Sequence, residues 1–416
     1  MASATTTPQR TTGLRQPSGQ DRARIRQSTY DVVVVGAGAA GLSAALALKD
    51  LGVRPLVLER AGDVGSSWRR RNDRLRLNSA RPFSHLPDRP FPKGTPMFPT
   101  RDQLVAHLEH HSRERGLEFL FDADVERIER TQSGWAAILS GGVVRARQMV
   151  VATGYDHTPR IPDWSGRERF QGPLLHSAEY RNAQPFHDRK VLVVGAGSSG
   201  MEIAFELAEG GAAKVWLSAR TPPNIFLREG PGGLPGDVIA QVMLRLPVRL
   251  ADAVGRFGRR MDIGDLSEYG LPVPEEGVFS RLRRLGVAPA IVDREVIDAV
   301  KARQVEVVGG VESLDATGVR LADGERIEPD AVISATGYRR GLEQLVGHLG
   351  VLGEGGLPHA LGQRAAADGL RFVGYVPRPA MLGYAAKEAK RAARAIAREL
   401  RSDGSQRVRP RASWKR

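Results

Sequence analysis

Two stretches of the chain place a glycine-rich loop directly after a run of β-branched residues. The first run, 31–35 (Asp-Val-Val-Val-Val), ends at Gly36, and the second, 190–194 (Lys-Val-Leu-Val-Val), ends at Gly195. Such runs predict parallel strands buried on both faces, and the Ala- and Leu-rich segments after the loops predict helices. The sequence therefore predicts an α/β fold with two doubly wound, Rossmann-type units, whose glycine loops begin 159 residues apart.

The first loop has the spacing G-x-G-x-x-G, with its glycines at Gly36, Gly38 and Gly41. In this motif the first glycine allows a tight turn, the second lets the backbone approach a pyrophosphate, and the third lets the helix pack on the strand. Glu59 closes the next predicted strand, where a carboxylate can accept hydrogen bonds from both hydroxyls of a ribose. The spacing therefore predicts a dinucleotide site.

The second loop repeats the motif and opens the next predicted helix with Gly195, Gly197, Ser198, Ser199 and Gly200. No acid closes the strand that follows, because Arg220 and Thr221 stand at that place. A carboxylate would repel a 2′-phosphate, whereas an arginine can pair with it through two parallel hydrogen bonds. We therefore expect this loop to bind NADP(H) in preference to NAD(H); the alternative is that Arg220 is a solvated loop residue of an arginine-rich chain.

Composition excludes several classes of protein. The chain contains no cysteine, which excludes disulfides, cysteine metal sites and redox-active thiol pairs. The net charge of +14 is concentrated at the ends, since residues 1–29 hold five arginines and one aspartate, and residues 401–416 hold six basic residues and one aspartate. Both tails are predicted to be disordered and solvated, with a nucleic-acid-binding arm as the less favoured alternative.

No charge-free segment is long enough to read as a membrane span, and no apolar stretch follows the first methionine. A cytoplasmic location is therefore expected. No metal site is predicted either. His107 and His111 are spaced by one helical turn within a predicted helix, 101–115, but the sequence indicates no third ligand.

Two dinucleotide sites in one chain imply electron transfer from a nicotinamide to a flavin. FAD is expected at the first loop and NADPH at the second, with the NADPH domain inserted into the FAD domain. We also expect a loop-rich stretch over 222–274, a strand over 370–374 and a closing helix over 385–400. The predicted divisions are 1–29 (tail), 30–186 (first part of the FAD domain), 187–325 (NADPH domain), 326–400 (second part of the FAD domain) and 401–416 (tail).

Between the two glycine loops lies a pattern of the form F-x-G-x-x-x-H-x-x-x-[Y/F/W], formed by Phe170, Gly172, His176 and Tyr180. With it the chain resembles the class B flavin-dependent monooxygenases over residues 30 to about 400. Segment 170–207 is particularly similar to the YUCCA auxin-forming monooxygenases and their bacterial relatives. Tyr180 stands where Baeyer–Villiger enzymes typically have tryptophan, which favours the heteroatom-oxidising and YUCCA-like branch.

The resemblance implies an activity. NADPH would reduce FAD, the reduced flavin would capture O₂ as a C4a-(hydro)peroxide, and one oxygen atom would pass to a small organic substrate. The product would arise by N- or S-oxygenation, or by oxidative decarboxylation of a 2-oxo acid such as an arylpyruvate. Baeyer–Villiger oxidation, an NADPH oxidase that releases H₂O₂, and a non-enzymatic interaction protein stay as alternatives. A dimer is compatible with the sequence.

The resemblance also implies roles for particular residues. In the relatives an asparagine in a context like that of Asn78 lies beside the flavin and hydrogen-bonds the bound peroxide; the alternative is an ordinary loop asparagine in an Asx turn. His176 is expected to be structural, coupling domain position to nicotinamide binding, rather than an acid or base. Further cofactor contacts are expected from Trp68, Arg69, Val125, Gly154, Gly337 and Tyr338.

Overall fold

The computed structural model describes residues 28–286 and 288–407. Its first sheet is mixed: its parallel part contains the first glycine-loop strand, and a three-stranded antiparallel meander extends it on one side. The final strand pairs back onto this sheet from the other end of the chain. The strands are Thr29–Val35, Pro55–Leu58, Glu118–Leu120, Val125–Thr131, Gly134–Leu139, Gly142–Val151 and Leu370–Phe372.

The second sheet has five strands, all parallel, with the second glycine-loop strand at its centre. These strands are Leu174–His176, Lys190–Val194, Lys214–Ser218, Glu306–Val308 and Ala331–Ser334. Three smaller sheets contain Ile225–Leu227 with Ala290–Val292, then Val311–Leu314, Val319–Leu321 and Arg326–Ile327, and finally Thr158–Pro159 with Tyr338–Arg339.

Helices cover the faces of both sheets. The α-helices are Ala39–Asp50, Ser66–Arg69, Arg101–Glu114, Ser198–Glu209, Gly236–Met243, Val248–Asp262, Val278–Leu285, Arg294–Lys301, Leu342–Val346 and Met381–Arg407. Short 3₁₀ helices lie at Arg81–Phe83, Arg167–Arg169, Gln184–Phe186, Pro231–Gly233, Ser267–Tyr269, Gly347–Leu349 and Glu354–Gly356. No helix within the described ranges is both long and apolar enough to cross a bilayer.

The two βαβ units form where the sequence predicts them, because each has a buried strand and an Ala- and Leu-rich helix on either side of its glycine loop. The first helix packs on the closing helix, and Leu42 and Leu46 share one buried cluster with Ala389 and Ile396. Burying this small-residue seam ties the C-terminal helix to the start of the chain. The expected α/β architecture is confirmed.

Three expectations differ from the structure. The stretch 222–274 contains two helices, each preceded by a proline at its N-cap, Pro235 or Pro247, which is a helix-start signal that the glycine and proline content had obscured. The closing helix runs to Arg407, so the part of the predicted tail from 401 to 407 is helical. The rest of that tail, and residues 1–27, lie outside the described residues.

Sheet membership also departs from the predicted divisions. Leu174–His176 and Ala331–Ser334 both pair within the second sheet, although the divisions at 187 and 325 assign them to the FAD domain. The strand Ala331–Ser334 sits between the other two in register, with Val332 beside Leu192 and Leu174. Pairing across more than 130 residues of chain is decided by the closed sheet, and no local pattern carries it.

Candidate active site

The first glycine loop has the geometry that a pyrophosphate needs. Gly36 has a φ of +105°, and a side chain there would clash with the backbone of Ala152. A Cβ on Gly41 would overlap the carbonyl oxygen of Gly36, so only glycine lets the helix start this close to the strand. A Cβ on Gly38, by contrast, would meet no atom within 4 Å. The space beside Gly38 is therefore open to a ligand at the N-terminus of a helix.

The second glycine loop repeats this geometry. Gly195 has a φ of +114° and lies against the backbone of Ala335, and a Cβ on Gly200 would overlap the carbonyl oxygen of Gly195. The position of Gly197 is open, with no atom within 4 Å of a Cβ. Both loops thus combine a close-packed first and third glycine with an unfilled space at the second. This arrangement fits two dinucleotides.

Glu59 is held at the end of its strand by three donors. Its Oε2 accepts a hydrogen bond from the backbone N–H of Ala37 at 2.7 Å, and its Oε1 accepts from the N–H of Ala61 and the hydroxyl of Ser66 at 3.0 and 3.2 Å. The carboxylate is buried but lies on a cavity wall. These bonds fix its orientation beside the loop, where ribose hydroxyls would donate to its remaining lone pairs.

A cavity of about 760 Å³ joins the two glycine loops. Its volume lies within the range of about 300–1,000 Å³ that is usual for small-molecule sites. Among the expected residues, those that line it are Gly36, Gly38, Glu59, Trp68, Asn78, Val125, Gly154, Ser198 and Ser199. The structure therefore brings residues from both ends of the predicted FAD domain and from the second loop to one cavity.

The amide of Asn78 is oriented by a buried arginine. Arg228 Nη2 donates a hydrogen bond to Asn78 Oδ1 at 3.0 Å. Because a guanidinium can only donate, the oxygen of the amide must face Arg228, and the NH₂ group is left as the free end. Asn78 lies on the cavity wall, so this NH₂ group is the donor that the side chain offers to a ligand.

Arg228 itself is fixed by two carboxylates. It forms ion pairs with Glu202 and with Asp293, and its side chain is only 2% exposed. Burial raises the pKa of Glu202 to about 7, against the opposing pull of Arg228. Glu202 also lines the cavity. The sequence analysis missed Arg228, which lies in the stretch expected to be loops, and quoted Glu202 only as part of a resemblance.

Arg220 and Thr221 lie at the exposed end of their strand, outside the cavity. Arg220 forms neither a hydrogen bond nor an ion pair within the described part of the chain. Its Cβ and Cγ lie against the backbone of Gly310, leaving the guanidinium in solvent. An exposed, unpaired arginine two residues beyond the strand is placed to meet a 2′-phosphate at the rim of the second loop.

The fingerprint residues pack between the sheets and do not line the cavity. A Cβ on Gly172 would clash with the backbone of Asp330, Phe170 packs on a buried cluster, and Tyr180 is wholly buried. His176 is buried, its Nε2 donates to the carbonyl oxygen of Gly337 at 3.0 Å, and its Nδ1 accepts from the N–H of Ala178 at 3.1 Å.

Both nitrogens of His176 are therefore occupied by backbone groups, and burial lowers its pKa, which favours the neutral ring. Tyr338 packs edge-on against this ring and accepts a hydrogen bond from Arg71, a residue of the cavity wall. Neither Gly337 nor Tyr338 lines the cavity. These contacts support a positioning role for His176, which stays a prediction.

Two expectations about side chains differ from the structure. Arg69 does not line the cavity, because it forms ion pairs with Asp63 and Glu109. The helix Arg101–Glu114 does supply a third potential ligand beside a histidine pair, since atoms of His110, His111 and Glu114 lie within 4.8 Å of one another. His107 instead stacks on a neighbouring phenylalanine ring. The histidine–glutamate group is on the helix surface, apart from the cavity.

The structure resembles solved flavoenzymes along most of its length. It matches a flavin monooxygenase from Stenotrophomonas maltophilia with a TM-score of 0.69 at 24% identity, over 90% of this chain and 100% of that one. It matches cyclohexanone monooxygenase with a TM-score of 0.70 at 18% identity, over 90% of this chain and 88% of that one. These similarities confirm the fold.

Sequence comparison decides the family. The profile described as pyridine nucleotide-disulphide oxidoreductase matches residues 33–224. Indole-3-pyruvate monooxygenase YUCCA1 of Oryza sativa subsp. japonica is 38% identical over 324 residues, 76% of this chain and 79% of the relative. The chain belongs to the YUCCA family of flavin-dependent monooxygenases. The probable YUCCA9 of Arabidopsis thaliana is 33% identical over 74% of both chains.

Membership of the YUCCA family confirms the expectation that the chain is an oxidoreductase with FAD and NADPH as cofactors. The two open glycine positions and the cavity between them fit these groups. The chain has no cysteine, so the thiol chemistry in the name of the matched profile has no residue to carry it. The electrons of the reduced flavin must therefore go to O₂ and a substrate, as in the other YUCCA enzymes.

Proposed function

We propose that this YUCCA-family enzyme oxidatively decarboxylates a 2-oxo acid with an apolar or aromatic side chain, such as an arylpyruvate. The balanced reaction consumes the 2-oxo acid, NADPH, a proton and O₂, and yields the acid one carbon shorter, CO₂, NADP⁺ and water. The observation that carries the proposal is Arg378, a cation on the wall of the cavity between the glycine loops. The named substrate of the rice relative, indole-3-pyruvate, belongs to this class.

Arg378 is held in place from two sides. Its Nη2 donates to Gln241 Oε1 at 3.2 Å, and its guanidinium lies 4.2 Å from the centre of the Tyr384 ring. Apolar wall residues surround it, including Pro377 and Met381. A guanidinium on an otherwise apolar wall suits a carboxylate joined to an apolar group, because it supplies paired donors while the wall covers the rest of the substrate.

FAD and NADPH, when bound, supply the hydride and the activation of O₂. The protein holds the substrate against them and provides donors. The NH₂ group of Asn78, turned into the cavity by Arg228, donates to a partly negative oxygen without being an acid that gives up a proton. Arg228 cannot release the amide, because Glu202 and Asp293 fix it in turn. We infer that Asn78 keeps activated oxygen from leaving as H₂O₂ before it reaches the substrate.

A substrate panel combined with two variants of Asn78 tests this function. Product analysis across amines, sulfides, ketones and 2-oxo acids should show NADPH-coupled product with 2-oxo acids. Asn78→Leu and Asn78→Asp should keep anaerobic flavin reduction and lose coupling, with product formation about ten- to a hundredfold slower, the effect of a lost hydrogen bond of about 1.5–3 kcal/mol to a charged oxygen.

The aspartate variant separates the two contacts of the side chain. It keeps an acceptor for Arg228 but removes the donor, so it should release H₂O₂ as the leucine variant does. If Asn78→Asp couples normally, the donor role is wrong. If the wild type consumes NADPH and releases only H₂O₂ with every substrate, the enzyme is an NADPH oxidase. Coupled product from amines or sulfides alone would instead support N- or S-oxygenation.

Arg220 should decide the choice of nicotinamide cofactor. Loss of a charged phosphate contact is worth about 1.5–3 kcal/mol, so Arg220→Ala should raise the KM for NADPH roughly ten- to a hundredfold and leave that for NADH nearly unchanged. Steady-state kinetics with both cofactors measure this, with Arg145→Ala, at an exposed arginine of the first sheet, as the control. An equal effect on both cofactors would show that Arg220 contacts only the shared part of the nucleotide.

A further inference from the structure

The helix Val248–Asp262 turns an apolar stripe to solvent. Leu250, Val254, Phe257 and Met261 follow each other at steps of three or four residues, which places them on one face. Their exposed fractions are 49%, 41%, 67% and 70%. The residues of this helix that are buried against the protein are Ala251, Asp252 and Arg259. The most apolar face of the helix therefore lies on the outside.

A row of arginines follows one flank of this stripe. Arg249, Arg256 and Arg260 recur at steps of seven and four residues, and all three are exposed. Arg249 and Arg256 have neither a hydrogen bond nor an ion pair with any described residue. The acids nearest in sequence are Asp262, which ends the helix, and Asp265, in the loop beyond it. Positive charge therefore accompanies the apolar stripe along the helix.

We propose that this helix docks on an anionic lipid surface. An apolar stripe beside a row of arginines is typical of helices that lie in the plane of a membrane interface, with the apolar face among the acyl chains and the cations at the headgroup phosphates. A second copy of the chain fits the face less well, because pairing two copies through it would bring together two rows of arginines on chains of net charge +14.

Docking in this way would set the cavity close to the lipid. The preceding helix, Gly236–Met243, contacts the cavity wall at both ends, since Asp237 accepts a hydrogen bond from the N–H of Ala80 at 2.9 Å and Gln241 accepts from Arg378 at 3.2 Å. Only four residues separate this helix from Val248–Asp262. Substrates with apolar side chains, which concentrate in membranes, would then be supplied near the cavity.

Vesicle sedimentation with the full-length, FAD-loaded protein tests the proposal. The wild type should bind vesicles of phosphatidylcholine mixed with phosphatidylglycerol, bind less as salt rises, and bind pure phosphatidylcholine weakly. Phe257→Glu/Met261→Glu should reduce partitioning by roughly ten- to a hundredfold. Arg249→Gln/Arg256→Gln should reduce it by roughly fivefold for each arginine. Met97→Glu, at an exposed methionine away from this helix, should bind as the wild type does.

The basic tails and a second copy of the chain are separated by the same samples. NADPH oxidation and flavin content should be unchanged in every variant, which shows that the fold is intact. If Phe257→Glu/Met261→Glu binds anionic vesicles as well as the wild type, the binding comes from elsewhere and the proposal is wrong. It is also wrong if the wild type ignores anionic vesicles, or if it is a dimer that this double variant converts to a monomer without any vesicle binding.

Discussion

Replacing Gly38 by valine is expected to leave the protein folded and to remove its flavin. A side chain at this position meets no atom of the protein within 4 Å, so the fold tolerates it. The same space is the one a pyrophosphate must enter to reach the amides at the start of the helix. A branched side chain there should weaken FAD binding by more than roughly a thousandfold, or about 4 kcal/mol.

Flavin absorbance of the purified variant, together with its circular dichroism, measures this result. Gly197→Val is the matched control, since its space is equally open and it should lose NADPH binding while keeping FAD. Gly41→Ala should behave differently from both, because its Cβ would overlap the carbonyl oxygen of Gly36 and prevent the unit from folding. Full flavin occupancy in Gly38→Val would contradict the assignment of FAD to the first loop.

Replacing Arg228 by methionine should destabilise the protein strongly and release Asn78. Glu202 and Asp293 would lose their shared partner, and removing one member of a buried ion-paired group typically destabilises by about 3–5 kcal/mol. The Asn78 amide would also lose the donor that orients it, so the variant that folds should release more H₂O₂ per NADPH consumed. Urea denaturation and peroxide assays measure the two effects.

The destabilisation should depend on pH in a defined direction. Burial already raises the pKa of Glu202 to about 7, above its ordinary value of 4.5, and loss of Arg228 raises it further. A carboxyl group whose pKa is higher in the folded state is stabilising when protonated, and that contribution is lost as the pH rises through the folded-state value. Arg228→Met should therefore be closer to the wild type in stability at pH 6 than at pH 8.

Arg76→Met provides the matched control for Arg228. Arg76 binds the same carboxylate, Asp293, at 2.8 Å, but its side chain is 51% exposed. An exposed pair of this kind contributes only about 0–1 kcal/mol, so the control should unfold close to the wild type. Equal destabilisation by the two substitutions would show that burial of Arg228 is not what makes its ion pairs important.

Local spacing was sufficient to predict the two nucleotide-binding units. Gly36, Gly38 and Gly41 lie within six residues of one another, and the backbone geometry that they require is set by the strand and helix on either side. The same holds for the second loop and for the absence of cysteine, which excluded thiol chemistry from composition alone. Family, fold and cofactors followed from such short-range signals.

The sequence alone determined the α/β class, the two loops and the cofactors, because each depends on residues within a few turns of one another. Only the tertiary structure decided which end of the Asn78 amide faces the cavity, since Arg228 reaches it across 150 residues of chain. It also decided that Arg69 turns to Glu109 and that Leu250 and Phe257 face solvent. Periodicity aligns side chains on one face of a helix, but which face is buried depends on the elements that pack against it.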